Sequence, residues 1–263
     1  MSTGYLRRAS TWFSALAVLA LTVVYFWPVL AARHFMAGDL LAETYPYRRY
    51  VTQELFMGRL PHWAPHVGFG FPLLADPEAT VFYPMSLVSS LLAGPGFSFR
   101  HLQWEIIAHY VVAALGMAFL GLRTNLGWAG ALVGAYTFAF TGFFWAHGGH
   151  ASIVQSASWI PWILLGAAAL LERPGARVAV GTGVVLALSI LGGHPQITYY
   201  GGLAFATVVA VVGWPLVARA GAGAKARPAW GLVGGAALAV ALAGGLTAIQ
   251  LLPTAALTRE SIR

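Results

Sequence analysis

Apolar positions along this chain fall in long unbroken runs rather than in the alternating pattern of half-buried strands, and polar residues gather in the short gaps between them. At roughly 20 apolar residues per crossing, the runs predict about seven membrane-spanning helices. They extend approximately from Thr11 to Ala32, His101 to Leu122, Leu126 to Ala146, Ala151 to Leu171, Ala176 to Leu191, Gln196 to Val217 and Ala229 to Leu252. The segment between the first two is the longest that does not span. The expected architecture is therefore an all-α polytopic membrane protein: residues 1–10 precede the first span at 11–32, a loop fills 33–100, the remaining spans fill 101–252, and 253–263 lie beyond the last.

Composition agrees with that picture. Of 263 residues, 59% are hydrophobic and only 9% charged, and mean hydropathy is +0.72, outside the range of soluble domains. A net charge of +7 would suit nucleic acid, but the basic residues sit in short clusters between apolar runs, where they set topology. Nucleic acid is accordingly not an expected partner. Arg7/Arg8, Arg123, Arg173/Arg177 and Arg219/Lys225/Arg227 alternate with connections lacking Lys and Arg, "HGGH" and "GGHPQ". The positive-inside rule assigns the basic side to the cytoplasm, with the N-terminus inside and Arg263 outside. Asp39, Glu43, Glu54, Asp76, Glu78, Glu105 and Glu260 then fall on or near the outer side, leaving Glu172 inside. A cleaved export signal is the alternative for the first run, but its length and its bulky "YFWP" end fit an anchor with an aromatic belt better. With no cysteine, disulfides, thiolate nucleophiles and Cys-ligated metals are excluded.

The loop from Arg33 to Arg100 holds Pro46, Pro61, Pro65, Pro72, Pro77, Pro84 and Pro95, half of the fourteen prolines. Such a density of fixed φ angles and missing donors rules out one long helix. Tyr47, Val51 and Leu55 recur at helical spacing with Arg48, Arg49 and Glu54 off that stripe, which predicts a short interfacial helix from Tyr47 to Met57. The apolar, turn-broken remainder reads as an ordered loop lying on the membrane surface.

Candidate chemistry sits at the outer ends of spans. His147 and His150 flank a glycine turn, Gln155 and Ser158 follow it, and His194 and Gln196 occupy the next outer turn. A single histidine at a span end is ordinarily an interfacial residue; three facing a carboxylate-bearing loop suggest a site for phosphate or, with Asp39 or Asp76, for a metal. Asp39 and Glu43 are four apart and share a face if helical. Their bland reading is interfacial charge neutralised by Arg48 and Arg49. The functional one is a carboxylate partly desolvated at the water–hydrocarbon boundary and so raised toward a useful general base. Gly130/Gly134 and the aromatic groups Phe143/Phe144/Trp145 and Trp159/Trp162 read as helix packing and interfacial belts.

Taken in order, "GDLLAETYPYRRY", "GRLPHWAPHVGFGFPLLADPEATVFYP", "HGGHASIVQSASWIPW" and "GGHPQ" resemble bacterial YfhO-type membrane proteins, of the C-type-fold superfamily of polytopic glycosyltransferases. The Trp-x-Pro, Gly-x-Gly-x-Pro and Tyr-Pro series of the first loop is the most specific part. The resemblance implies an enzyme that moves a sugar from a polyprenyl-phosphate carrier to a cell-envelope glycan, lipid or protein on the outer face of the membrane. It implies a catalytic carboxylate at the position of Asp39, acting as general base in one inverting displacement. Arg48, Arg49, His147, His150 and His194 are then candidates for the leaving phosphate, and Glu43, Asp76, Glu78 and Gln196 for sugar hydroxyls. The carboxylates among these could instead hold a divalent cation, Mg or Mn. Trp63, Phe69 and Tyr83 offer faces to a sugar ring or an isoprene unit. Family members are generally longer, so the chain is expected to be the front portion of a larger protein. The other readings of the same features are a transporter or lipid-handling protein and a non-catalytic envelope scaffold.

Overall fold

The computed structural model describes residues 3–36, 38–67, 69–221 and 227–260; Gly68 of the Gly-x-Gly-x-Pro motif, Lys225 and Arg263 lie outside them. The described residues form no β-strand beyond a single bridge, Ala64 with Phe71. The helices are α1 (Thr3–Leu30), α2 (Tyr45–Phe56), α3 (Pro84–Ala93), α4 (Phe99–Arg123), α5 (Gly127–Ala139), α6 (Gly142–Ala146), α7 (Ala151–Ala157), α8 (Ile160–Glu172), α9 (Ala176–Leu191), α10 (Pro195–Gly221) and α11 (Arg227–Glu260). Six helical stretches among them are long and apolar enough to cross a membrane: Thr11–Leu30, Phe99–Arg123, Gly127–Ala146, Ala151–Glu172, Pro195–Pro215 and Trp230–Glu260. The protein is thus an all-α polytopic membrane protein. The remaining expected crossing, the fifth in order, is α9; it has 16 residues and rises only about 24 Å at 1.5 Å per residue, short of a hydrocarbon core of about 30 Å.

Other boundaries shift for local reasons. Helix α1 already begins at Thr3, inside the segment expected to precede the first span, and stops at Leu30, before Ala32 at φ +57. The last helix does not end at Leu252. It continues through Pro253 to Glu260, so most of 253–263 extends the final span. Two of the expected spans are broken. Helix α5 stops before Thr141 and α6 restarts at Gly142. Helices α7 and α8 are separated at Ser158 and Trp159, because Pro161 has no N–H for the carbonyl of Ala157.

Three apolar clusters hold the molecule together. Val18, Phe26, Ile106, Tyr110, Ala135 and Phe144 bind α1, α4, α5 and α6. Ile163, Leu170, Ala179, Leu186, Phe205 and Leu232 bind α8 through α11. A small third cluster, Val51, Ala64, Leu73, Ala79 and Val81, gives the loop after α2 a core of its own. Small residues set the closest approaches: a Cβ on Gly183 of α9 would meet the carbonyl of Ala239 on α11, and Gly134 faces Met117 across α4 and α5. At one end of the bundle Arg123 and Glu172 pair at 2.8 Å. The 31–98 segment, the α6–α7 turn and the α9–α10 turn gather at the opposite end, called here the loop end.

The long segment does more than lie on a surface. After Pro77–Ala79 it runs down into the bundle, where Tyr83 and Val81 are fully buried, and returns as α3. Pro84 occupies the first turn of α3 and Gly94, at φ +65, ends it. Ser98 then caps α4 in a reciprocal pair with His101. From the far side, α11 holds the chain just before this descent: Gln250 Nε2 donates to the Leu74 carbonyl at 3.2 Å and Thr254 Oγ1 to that of Ala75 at 2.8 Å. The glycines of "GGHPQ" admit this approach. Gly193 has φ +94, and a Cβ there would collide with the Pro77 carbonyl and with Thr80.

Candidate active site

At the loop end, one pocket of about 120 Å³ is lined by Asp39, Glu43, Thr44, Tyr47, Glu78, His150, Ala151, Ser152, Ile153 and His194. Its first wall is the π-helical turn Leu40–Thr44 with the start of α2. Leu40 anchors that turn, buried completely, while Asp39, Glu43 and Tyr47 keep the four-residue spacing that stacks side chains on one face. Its second wall is the beginning of α7, and Glu78 and His194 close the remaining side. Across the walls His150 Nε2 lies 3.1 Å from Asp39 Oδ2, with the two side chains 45% and 59% exposed. An ionised carboxylate only accepts, so the Nε2 of this pair carries the proton.

Five sequence-predicted residues therefore meet in one place: Asp39, Glu43, Glu78, His150 and His194. Asp76 sits beside them and accepts the Glu78 backbone N–H at 3.0 Å. Desolvation acts on these neighbours of Asp39. Burial, reinforced by the charges of Glu78 and Glu43 and opposed by the Glu78 N–H, pushes the Asp76 carboxyl up to about 6. Glu78 is also raised, by burial and then by Glu43, with Ser152 and His150 opposing. His194 is lowered, by burial and by the nearby His147 and His150. Three carboxylates against two histidines make this a place for hydroxyls or cationic groups rather than for a phosphate dianion. No three His, Asp or Glu side chains among the described residues converge as a metal-holding group, and Asp39 already faces His150.

Two expected binding residues are not available to a ligand. Arg48, foreseen as a phosphate cation, is 1% exposed. Its Nη2 donates to the Ser86 carbonyl at 2.8 Å and to Glu105 Oε2 at 3.1 Å, and its guanidinium lies 5.7 Å from the Phe97 ring centre. The reason is Glu105, which sits within the α4 span; a carboxylate there needs a counter-ion, and Arg48 is turned inward with Val51 and Thr52 to supply it. Tyr83, foreseen as a face for a sugar, is wholly buried. Trp159 Nε1 donates to its hydroxyl at 2.8 Å, and that hydroxyl bonds His109 Nε2 at 2.6 Å. Since His109 Nδ1 lies 2.7 Å from the Glu105 carbonyl, which only accepts, Nδ1 bears the proton and Tyr83 is the donor to Nε2.

The remaining candidates stand apart from the pocket. Arg49 is exposed on α2. Trp63 packs its ring over Gly70, Phe69 projects into solvent, and Gln196 donates to the Tyr200 hydroxyl at 2.8 Å. His147 is tied to the Phe143 carbonyl at 2.8 Å, with its ring 5.7 Å from that of His150. Tyr47, Thr44 and Ser152 line the pocket without having been singled out. Beneath the pocket, and not lining it, Glu105 and His109 were also missed as site residues, although their four-residue spacing inside an apolar run was the signal that could have marked them. Between α3 and α4 a second, apolar groove of about 450 Å³ is lined by Pro84, Val88, Leu92, Trp104 and Ala108 with Glu105 at its edge. No family model, curated protein or solved structure matches the chain.

Proposed function

We propose that the protein is a membrane glycosyltransferase that takes a sugar from a polyprenyl-phosphate carrier and passes it to a cell-envelope acceptor outside the cytoplasmic membrane. The observation that carries this reading is the joining of Asp39 and His150 in one pocket with Glu43, Glu78 and His194. The resemblance of the first loop to YfhO-type proteins supports it, and basic connections at the opposite end support an outward-facing pocket. Asp39 takes the proton of the acceptor hydroxyl while His150 Nε2–H holds the carboxylate in place. The freed oxygen attacks C1, the bond from C1 to the carrier phosphate oxygen breaks with its electron pair on phosphate, and the anomeric centre inverts. Glu43 and Glu78 accept hydrogen bonds from sugar hydroxyls. The groove between α3 and α4 suits an isoprenoid chain, and the phosphate is met outside the acidic pocket, because Arg48 is committed to Glu105.

One observation favours a transporter or lipid-handling protein instead: ionisable Glu105 and His109 lie inside a span, beside two spans that are broken. The test is transfer from radiolabelled polyprenyl-phosphate sugars in membranes with and without the protein, followed by the anomeric configuration of the product. Protein-dependent transfer with inversion is expected. Retention removes the single-displacement mechanism, and absence of transfer with every donor favours the transporter.

A further inference from the structure

We infer that Glu105 is the positioning residue of the pocket, although it does not line it. Its carboxylate joins the two walls from beneath. Oε2 accepts from Arg48 of α2 at 3.1 Å, and Oε1 accepts from Gln155 Nε2 of α7 at 2.8 Å and from Ser86 Oγ of α3 at 2.7 Å. Arg48 directly follows Tyr47, which faces the pocket. Gln155 lies one turn below Ser152, which faces it from the other wall. Asp39 and His150 are borne on these same two walls. Both are half-exposed side chains, and pairs of that kind hold themselves together only weakly. The 3.1 Å approach of Asp39 to His150 is therefore set by the buried tie underneath.

The tie is specific in a way that ordinary packing is not. A carboxylate has two oxygens and so can bind two walls at once, and its buried charge is satisfied only when both donors arrive. Replacing Glu105 by Gln keeps the volume but leaves a single acceptor oxygen and no charge for Arg48. Replacing Gln155 by Leu cuts the α7 side alone and leaves the ion pair of α2 and α4 intact. In each case the walls lose their common reference.

The experiment reads the wall separation directly, without activity. Because the chain has no cysteine, Arg49→Cys on α2 and Ala146→Cys, at the end of α6 that leads into α7, take nitroxide labels cleanly. Electron–electron resonance in nanodiscs is expected to give one narrow distance in the parent, and a broadened or second, longer distance in both Glu105→Gln and Gln155→Leu. Glu54→Gln, which breaks the exposed Glu54–Arg59 pair, serves as the control and leaves the distance unchanged. If Glu105→Gln does not fold, Gln155→Leu decides alone. A parent-like distance in the folded variants, with only a lower unfolding temperature, overturns the inference and leaves Glu105 a structural residue. The loss of turnover that a misaligned pocket would cause rests on the proposed glycosyl transfer; the distance does not, so the two can fail separately.

Discussion

Replacing Arg48 by Met tests whether the buried ion pair is as consequential as its geometry suggests. Both side chains are nearly inaccessible, 1% and 2% exposed, so solvent screens little of the interaction. Removing one partner of such a pair leaves an uncompensated buried charge, at a cost of about 3–5 kcal/mol. Here Glu105 retains the Ser86 and Gln155 donors at 2.7 and 2.8 Å, which argues for the lower end. A loss of about 3 kcal/mol corresponds to a fall of roughly 6–12 °C in unfolding temperature for a chain of this size. Thermal unfolding in detergent, followed by the intrinsic fluorescence of the ten tryptophans, measures it. In the double variant Arg48→Met/Glu105→Met both charges are gone, and most of the loss should return, less what Ser86 and Gln155 forfeit. The reasoning is refuted if the single change costs under about 1 kcal/mol, the range of exposed pairs, or if the double variant is no more stable than the single one.

Three further outcomes follow from other contacts. Gly193→Ala forces a side chain into a backbone at φ +94 and against the Pro77 carbonyl. It should cost about 1–3 kcal/mol, and hydrogen exchange should accelerate over residues 77–80. Tyr83→Phe strips Trp159 Nε1–H of its acceptor and His109 Nε2 of its donor, for about 1–3 kcal/mol in the same unfolding assay. Asp76 titrates near 6 in the folded protein against 3.8 for a free carboxyl, so the folded state binds the proton more tightly. Stability should be highest below pH 3.8 as far as this group is concerned and should fall as pH rises through that window to about 6. Asp76→Asn, which keeps the acceptor for Glu78 N–H, should flatten that part of the stability–pH profile.

The helical spans and the grouping of Asp39, Glu43, Glu78, His150 and His194 were legible from the chain because they rest on local signals: apolar length, and polar residues at successive span ends on one side of a bundle. The inward turn of Arg48 was not legible. On α2 it lies off the apolar stripe of Tyr47, Val51 and Leu55, so periodicity assigns it to solvent. Its true partner, Glu105, is 57 positions away. The descent of the chain to Tyr83 was hidden for a related reason. The stretch "TVFYP" is apolar enough either to lie on a membrane or to enter a bundle, and what decides is the space opened by Gly193 and the two carbonyl grips of Gln250 and Thr254 at the far end of the sequence. The bounds of α9 agree with the expected Ala176 to Leu191, whereas the continuation of α11 past Leu252 was hidden, because Thr254 in that extension grips the Ala75 carbonyl, 179 positions away.

The most direct test of the account is the rate of sugar transfer from polyprenyl-phosphate in membranes carrying the protein or its Asp39→Asn variant at matched expression. The substitution preserves size and removes the base. The account predicts transfer by the parent and its loss in the variant, with expression and unfolding temperature unchanged. Equal transfer by both proteins would contradict it and remove Asp39 from the chemistry.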